Sequence, residues 1–173
     1  LAITAIYVTH DQEEALVLSD RIAVMQQGKL MQVGAPREIY SKPSNDYVAG
    51  FVGESNLLQA TVKDVDLEAG SMLLSSPVGS LTCFVPQKIV SGATVTVMFR
   101  PDDLIICEAT PNAKPNVFTG RNERVSFLGN RLRCEIRAGS SVILGEFSSS
   151  LEIQEGQDIT VEIPSSRIHV FVQ

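Results

Sequence analysis

The chain has 173 residues, of which 44% are hydrophobic, and its formal net charge is −6. This apolar content is enough to build a core and excludes wholesale disorder, and the acidic balance argues against nucleic acid or an anionic membrane as the main partner. The apolar runs, such as residues 5–8 and 104–107, are far shorter than the roughly 20 residues that a membrane-spanning helix needs.

The first third of the chain has an α/β pattern. Residues 3–8 are mostly apolar and predict a strand buried on both faces. Asp11, with Glu14 three residues later, has the spacing of a capping box and predicts a helix that runs to about Ser19. Because the sequence starts with Leu1 inside a strand-like run, we expect the chain to be a piece of a longer protein.

A hairpin and two short helices are expected next. The segments "RIAVM" and "KLMQV" predict two strands joined by a three-residue turn, QQG, in which Gly28 takes a positive φ. Pro36 suits the first turn of a short helix, "PREIYS". Ser44 can cap a further helix over residues 45–52.

From residue 56 onward, short apolar segments alternate with Gly, Pro, Ser and Asn turns, which is typical of small barrels or sandwiches. Ten strands are predicted, over residues 57–65, 71–75, 80–85, 93–99, 104–107, 117–127, 131–137, 142–147, 158–163 and 168–172. Two stretches 64 residues apart, "GATVTVMFRPDDLIIC" and "GQDITVEIPSSRIHVFV", each have a glycine, an alternating strand, a proline turn and a final strand. With the linker-like residues 110–116 between them, they predict two copies of one β module.

The three cysteines, Cys83, Cys107 and Cys134, are widely spaced, and each lies in an apolar, strand-like context. A zinc site needs clustered ligands, and a disulfide framework needs more cysteines in less chain. We therefore expect three reduced core thiols, no metal site and a cytoplasmic protein.

His10 is the first candidate functional residue. It follows an apolar strand and precedes an acidic helix start, where ligand sites form at the carboxyl ends of parallel strands. Its imidazole can exchange hydrogen bonds with a phosphate oxygen or a water. On spacing alone, a histidine that only satisfies the strand-to-helix turn is the favoured alternative.

The sequence segments around His10 resemble those of a known protein family. "THD", "QEEAL", "SDRIAVM", "GKLMQVGAPREIY" and "FVGESN" follow one another without a gap over residues 3–56. This run resembles the C-terminal part of the ATP-binding subunit of a bacterial ABC importer of the maltose, polyamine, iron and sulfate group. In that family His10 matches the switch histidine, which contacts the ATP γ-phosphate and helps to order the attacking water. The resemblance implies a catalytic and ATP-binding role for His10 in the parent protein.

Three motifs that the family needs do not occur in these 173 residues: a GxxxxGK[ST] loop, a Walker B carboxylate pair and an LSGGQ-type segment. In the family all three precede the histidine. The resemblance therefore implies ATP and Mg²⁺ for the parent protein, which is an ABC-type transport ATPase. For the chain itself we expect neither cofactor and no ATP hydrolysis.

The β region resembles the family's C-terminal TOBE-type extension, which consists of paired OB-like barrels, through "VMFRPDDLIIC" and "IHVFV". The implied fold is mainly β with an N-terminal α/β remnant. Residues 1–54 would be the C-terminal fragment of the ABC ATPase domain. Residues 55–173 would be a tandem OB-like regulatory and dimerisation domain, with five-stranded barrel modules at about 55–110 and 115–173.

The resemblance also implies partners and a location. They are a second copy of the subunit, the permease subunits and, indirectly, an extracytoplasmic binding protein, with no nucleic acid. The subunit would be cytoplasmic and peripheral on the inner face of the plasma membrane through the permease. Spermidine or putrescine is the solute favoured, while iron, sulfate and sugars remain open. The alternative is a stand-alone OB-like module that binds a small anion or effector, or that oligomerises.

A second candidate site is a row of cations. Arg131, Arg133 and Arg137 alternate on one face of the strand 131–137, together with Glu135. The row could bind an anionic effector or an acidic patch on a partner. An ordinary solvated strand face, balanced by acidic neighbours, is the favoured alternative. For residues 3–8, without the rest of their sheet, we expect fraying or pairing with another copy.

Overall fold

The computed structural model describes residues 3–85, 89–110 and 114–172. The chain divides into two compact units, Leu1–Glu54 and Ser55–Gln173. The first unit is a small α/β remnant and the second is all β, which confirms the predicted fold class. No helix in the described part of the chain is both long and apolar enough to cross a membrane.

The first unit packs three short helices around a hairpin. Its elements in chain order are α1 (Gln12–Leu18), β1 (Ile22–Gln26), β2 (Lys29–Gly34), α2 (Pro36–Ser41) and α3 (Asp46–Phe51). Its core is a small cluster of buried aliphatic side chains, Val24, Ile39, Val48 and Val52. The Tyr47 ring stacks on Phe51 with centroids 5.7 Å apart, so α3 also adds an aromatic pair to this unit.

The helix caps agree with the sequence in one case and differ in another. Asp11 caps α1 as predicted, because its Oδ1 accepts a hydrogen bond from the Glu14 N–H at 3.0 Å. The cap of α3 is Asn45, not Ser44, because the Asn45 Oδ1 accepts from the Val48 N–H at 2.9 Å. An N-cap side chain accepts from the N–H two or three residues later, whereas the Ser44 hydroxyl donates to the Met31 carbonyl at 3.4 Å.

The hairpin turn is shorter than predicted. Gln26 pairs with Lys29, which leaves a two-residue turn in place of three. Gln27 and Gly28 both have positive φ, 48° and 77°. This is the type I′ geometry, whose twist matches that of the flanking strands.

Residues 3–8 do not form the strand that the sequence predicts. Their apolar side chains face solvent: Ile3, Ile6 and Val8 are 77%, 93% and 89% exposed. A strand needs a neighbour for its N–H and C=O groups, and the described residues provide none beside this segment.

The second unit contains all ten predicted strands, and each strand end lies within one residue of its predicted position. The strands are β3 (Asn56–Asp66), β4 (Ser71–Ser76), β5 (Gly79–Phe84), β6 (Thr94–Phe99), β7 (Ile105–Ile106), β8 (Val117–Phe127), β9 (Arg131–Ala138), β10 (Ser141–Ser148), β11 (Asp158–Glu162) and β12 (His169–Val172). The predicted linker at 110–116 lies partly outside the described residues.

The strands form two five-stranded sheets. The first sheet has the order β12-β6-β3-β4-β5 and the second sheet β10-β9-β8-β11-β7. Each sheet takes four strands from one half of the unit and its fifth from the other half, because β7 pairs with β11 and β12 pairs with β6. The modules are therefore five-stranded as predicted, and each completes its sheet with one strand from the other half of the unit. The division of the chain into modules at about 55–110 and 115–173 stays a prediction.

The strand exchange follows two short turns and accompanies a core that both sheets share. A short 3-10 turn beside a proline, Pro101–Asp103 after β6 and Ser165–Arg167 after β11, leads each final strand away from the sheet that it leaves. One hydrophobic cluster then spans both sheets and includes Val97 and Phe99 from the first and Ile136 from the second. The two modules therefore share a core.

Two of the three cysteines are core thiols as predicted. Cys83 and Cys134 are buried, and burial raises the pKa of their thiols to about 12 and about 11 respectively. Cys107 is only half-buried, so the prediction was wrong for this residue. It lies directly after the two-residue strand β7, where its N–H donates to the Thr160 carbonyl at 3.0 Å.

Candidate functional site

His10 lies on an exposed turn directly before Asp11 and α1. The start of the helix is fixed to the end of the first unit, because the Gln12 Oε1 accepts a hydrogen bond from the Gly53 N–H at 2.8 Å. The imidazole is thus presented to solvent from an anchored helix start and is accessible to a ligand.

The carboxylates beside His10 are used in local structure. Asp11 caps α1, and the Glu14 Oε2 accepts hydrogen bonds from the Tyr7 hydroxyl at 2.8 Å and the Thr9 hydroxyl at 3.3 Å. The hydrogen bond to Glu14 raises the pKa of the Tyr7 phenol. Near His10, the described residues offer a phosphate one imidazole among acidic groups, so the remaining phosphate ligands would have to come from other residues.

The arginine row lies on the outward face of β9, as the sequence predicts. Glu146 on the neighbouring strand β10 accepts from Arg131 at 2.7 Å and from Arg133 at 2.9 Å. Glu123 on β8 accepts two hydrogen bonds from Arg137, at 2.5 and 2.9 Å. All three cations are therefore paired with carboxylates of the second sheet.

The Glu146 carboxylate is the most enclosed part of this network, with a side chain only 11% exposed. Burial by itself would raise its pKa, but the hydrogen bonds from Arg133 and Arg131 outweigh burial, and the pKa is lower than usual. An anionic effector would have to compete with a carboxylate held in the charged state. The prediction of an effector or partner face at Arg131, Arg133 and Arg137 stays a prediction.

Two buried asparagines were missed by sequence reasoning. The Asn56 side chain donates to the Leu144 carbonyl at 2.9 Å and accepts from the Leu144 N–H at 2.7 Å. The Asn116 side chain binds Thr82 in the same way, at 2.9 and 2.7 Å. We call these two residues the asparagine clamps.

The asparagine clamps occupy equivalent positions in the two halves of the second unit. Asn56 opens β3, Asn116 directly precedes β8, and the two residues are 60 positions apart. Each holds an outer strand of the opposite half: Asn56 binds β10 and Asn116 binds β5. The signal that could have found them is the internal repeat, extended backwards from its proline turns to the first strand of each half.

Comparison with curated proteins finds relatives along the whole chain. Trehalose/maltose import ATP-binding protein MalK of Thermococcus litoralis is 36% identical over 182 residues, which cover 99% of this chain and 47% of MalK. Fe(3+) ions import ATP-binding protein FbpC 2 of Rhizobium meliloti is 36% identical over a match that covers 100% of this chain and 46% of FbpC 2. Spermidine/putrescine import ATP-binding protein PotA of Pseudomonas fluorescens is 38% identical over a match that covers 96% of this chain and 40% of PotA. The chain spans less than half the length of these relatives.

Among solved structures, the chain is similar to the cytoplasmic molybdate-binding protein ModG, crystallised with molybdate bound. The TM-score is 0.56 at 12% sequence identity, and the match covers 68% of this chain and 96% of ModG. At this identity the likeness supports the OB-like fold of the barrels and nothing further. No protein-family model matches the chain.

Proposed function

Over its whole length the chain is homologous to the ATP-binding subunits of ABC importers, and on this premise we propose that it is the C-terminal regulatory and dimerisation part of such a subunit. The subunit as a whole would bind and hydrolyse ATP to power solute import. The observation that carries the proposal is the match of 96–100% of this chain to three relatives named for three different solutes.

His10 would act in the complete subunit, at the γ-phosphate of ATP. When bound with Mg²⁺, ATP supplies the phosphoryl group that is transferred to water. The exposed imidazole on its anchored turn can hydrogen-bond a phosphate oxygen or orient the attacking water, which suits a reaction that depends on positioning and charge stabilisation. Since a single imidazole is not enough to bind the phosphates of ATP, the chain of 173 residues would not hydrolyse ATP on its own.

The second unit would regulate the subunit and pair it with a second copy. Its partners would be the permease subunits and, through them, an extracytoplasmic binding protein, on the inner face of the plasma membrane. We favour polyamines as the solute, supported by the "FVGESN" motif and by relatives named for spermidine and putrescine. The alternative of a stand-alone anion-binding module gains no support from the arginine row, because Glu146 and Glu123 hold its cations.

The test is ATP hydrolysis by the complete subunit that contains this chain, with His10→Ala. We expect turnover to fall by about 10²-fold or more, the usual effect of losing a positioned catalytic group, while nucleotide binding changes only a few-fold. The matched control is His169→Gln in β12, the second histidine of the chain, which should keep wild-type turnover. Hydrolysis by His10→Ala at the wild-type rate would refute the role of His10.

A further inference from the structure

The turn that presents His10 is closed by side chains from both sides of it. The Glu14 Oε2, in the first turn of α1, accepts hydrogen bonds from the Tyr7 hydroxyl at 2.8 Å and from the Thr9 hydroxyl at 3.3 Å. The Thr9 Oγ1 in turn accepts from the Asp11 N–H at 2.9 Å, and the Asp11 carboxylate accepts from the Glu14 N–H at 3.0 Å. We call these four residues, Tyr7, Thr9, Asp11 and Glu14, the Glu14 network.

The Glu14 network holds the backbone on both sides of His10. Thr9, which precedes it, is bonded to Asp11 and Glu14, and Asp11, which follows it, caps α1. The His10 side chain is exposed, so the backbone that carries it sets where the imidazole can reach. Because Gln12 fixes the start of α1 to the end of the first unit, the network ties the imidazole to an anchored helix.

Glu14 is the centre of this network because two donors converge on one of its oxygens. A carboxylate accepts stronger hydrogen bonds than a neutral oxygen does. The helix dipole favours a carboxylate at Glu13 as well as at Glu14, so the two hydroxyl donors, and not the charge, distinguish Glu14. These contacts span seven and five residues of sequence and form within this stretch, so they do not depend on the other strands of a parent sheet.

Position matters for the reaction proposed for His10. Phosphoryl transfer depends mostly on positioning and charge stabilisation, and a displacement of about 1 Å can cost about 10²-fold in rate. An imidazole on a turn that is not held would reach the γ-phosphate in only a fraction of its conformations. We propose that Glu14 is a positioning residue for His10, and that its carboxylate holds the turn in the conformation that the reaction needs. This inference rests on the proposed role of His10 and specifies what holds that residue in place.

The experiment is steady-state ATP hydrolysis by the complete subunit that contains this chain, with Glu14→Ala. We expect kcat to fall about tenfold while the KM for ATP stays within about threefold, because the imidazole is still present but is no longer held. Glu14→Gln is the conservative variant, since its amide oxygen can accept from both hydroxyls, and its kcat should stay within about threefold of the wild type. The matched control is Glu13→Ala, which removes the same charge from the same helix turn and should keep the wild-type kcat.

A combined variant separates positioning from a general effect on the fold. Because Glu14 would act only through the imidazole, adding Glu14→Ala to His10→Ala should lower kcat no further than His10→Ala does. A carboxylate that merely stabilised the fold would lower turnover by the same factor in both backgrounds. A further loss of that size in the combined variant would therefore overturn the proposal, and so would equal losses for Glu14→Gln and Glu14→Ala.

If Glu14→Ala fails to fold, Tyr7→Phe decides, because it removes one hydroxyl donor of the Glu14 network and leaves α1 as it is. Its kcat should fall while the KM for ATP stays the same. Wild-type kcat values for Glu14→Ala and Tyr7→Phe, beside an impaired His10→Ala, would overturn the positioning role and leave the role of His10 standing. Hydrolysis by His10→Ala at the wild-type rate would overturn both.

Discussion

The asparagine clamps lead to a prediction in which two equivalent residues respond differently to the same substitutions. Asn56→Ala would leave the N–H and C=O of Leu144 without their side-chain partner, and Asn116→Ala would do the same to Thr82. Both asparagines are buried, at 6% and 5% exposure. An unsatisfied buried group costs about 1–3 kcal/mol, so each alanine should lower the free energy of unfolding by about 2–4 kcal/mol.

The two positions differ in backbone conformation. Asn116 has a φ of 68°, whereas Asn56 is not among the residues with positive φ. A left-handed backbone costs an alanine about 1–2 kcal/mol and a glycine almost nothing. Asn116→Gly should therefore be about 1 kcal/mol more stable than Asn116→Ala. At Asn56 the order should reverse, because glycine in a strand loses more chain entropy than alanine.

The assay is urea unfolding of the 173-residue chain. Far-UV circular dichroism follows the ten strands of the second unit. Tyrosine fluorescence reports only on the first unit, because the chain has no tryptophan and its three tyrosines are Tyr7, Tyr40 and Tyr47. The same alanine–glycine order at both positions, or losses below about 1 kcal/mol for both alanines, would refute the reasoning.

The remaining predictions concern charge and space. Glu146→Gln should lower the free energy of unfolding by about 1–2 kcal/mol at neutral pH. Since folding lowers the pKa of Glu146 from 4.5, the stabilisation by its carboxylate is present above pH 4.5 and is lost as pH falls through the folded pKa. Urea unfolding between pH 7 and pH 3 would measure this loss. Glu123→Gln should shift the unfolding midpoint much less than Glu146→Gln, because the Glu123 side chain is 39% exposed, against 11% for Glu146, and an exposed ion pair contributes little. Gly139→Ala would place a Cβ 2.0 Å from the Pro77 carbonyl oxygen and should lower the thermal midpoint far more than Gly70→Ala, whose positive φ is similar but whose surroundings are open.

The strands were predictable because each depends on local alternation and on its own turn residues. β8 shows this, with both ends as predicted, Val117 and Phe127. The repeat was readable for the same reason, since the proline turns after β6 and β11 are local features. The cap at Asp11 follows from a three-residue spacing, which a sequence contains in full.

The partners of these elements were not predictable, because pairing joins residues far apart in the chain. The alternation in β12 is the same whether it completes its own half or the other one, and the proline turn before it does not specify which sheet it joins, so the pairing with β6 could not be predicted. The arginine row could be predicted because it lies on one strand. The ion pairs that neutralise its charges could not, because Glu146 and Glu123 come from two other strands. The proposed role of His10 comes from family resemblance, since its turn holds too few groups to specify a ligand.

The strand exchange also affects how the protein is made. His169, which opens β12, is synthesised 70 residues after Phe99, which ends β6. At about 5–20 residues per second, the outer edge of β6 waits roughly 4–14 s for the strand that covers it. During this time the nascent chain exposes an apolar strand edge of the kind that nucleates aggregation. Slow translation between β6 and β12 would prolong this exposure, so the yield of folded protein depends on the speed of elongation through that stretch.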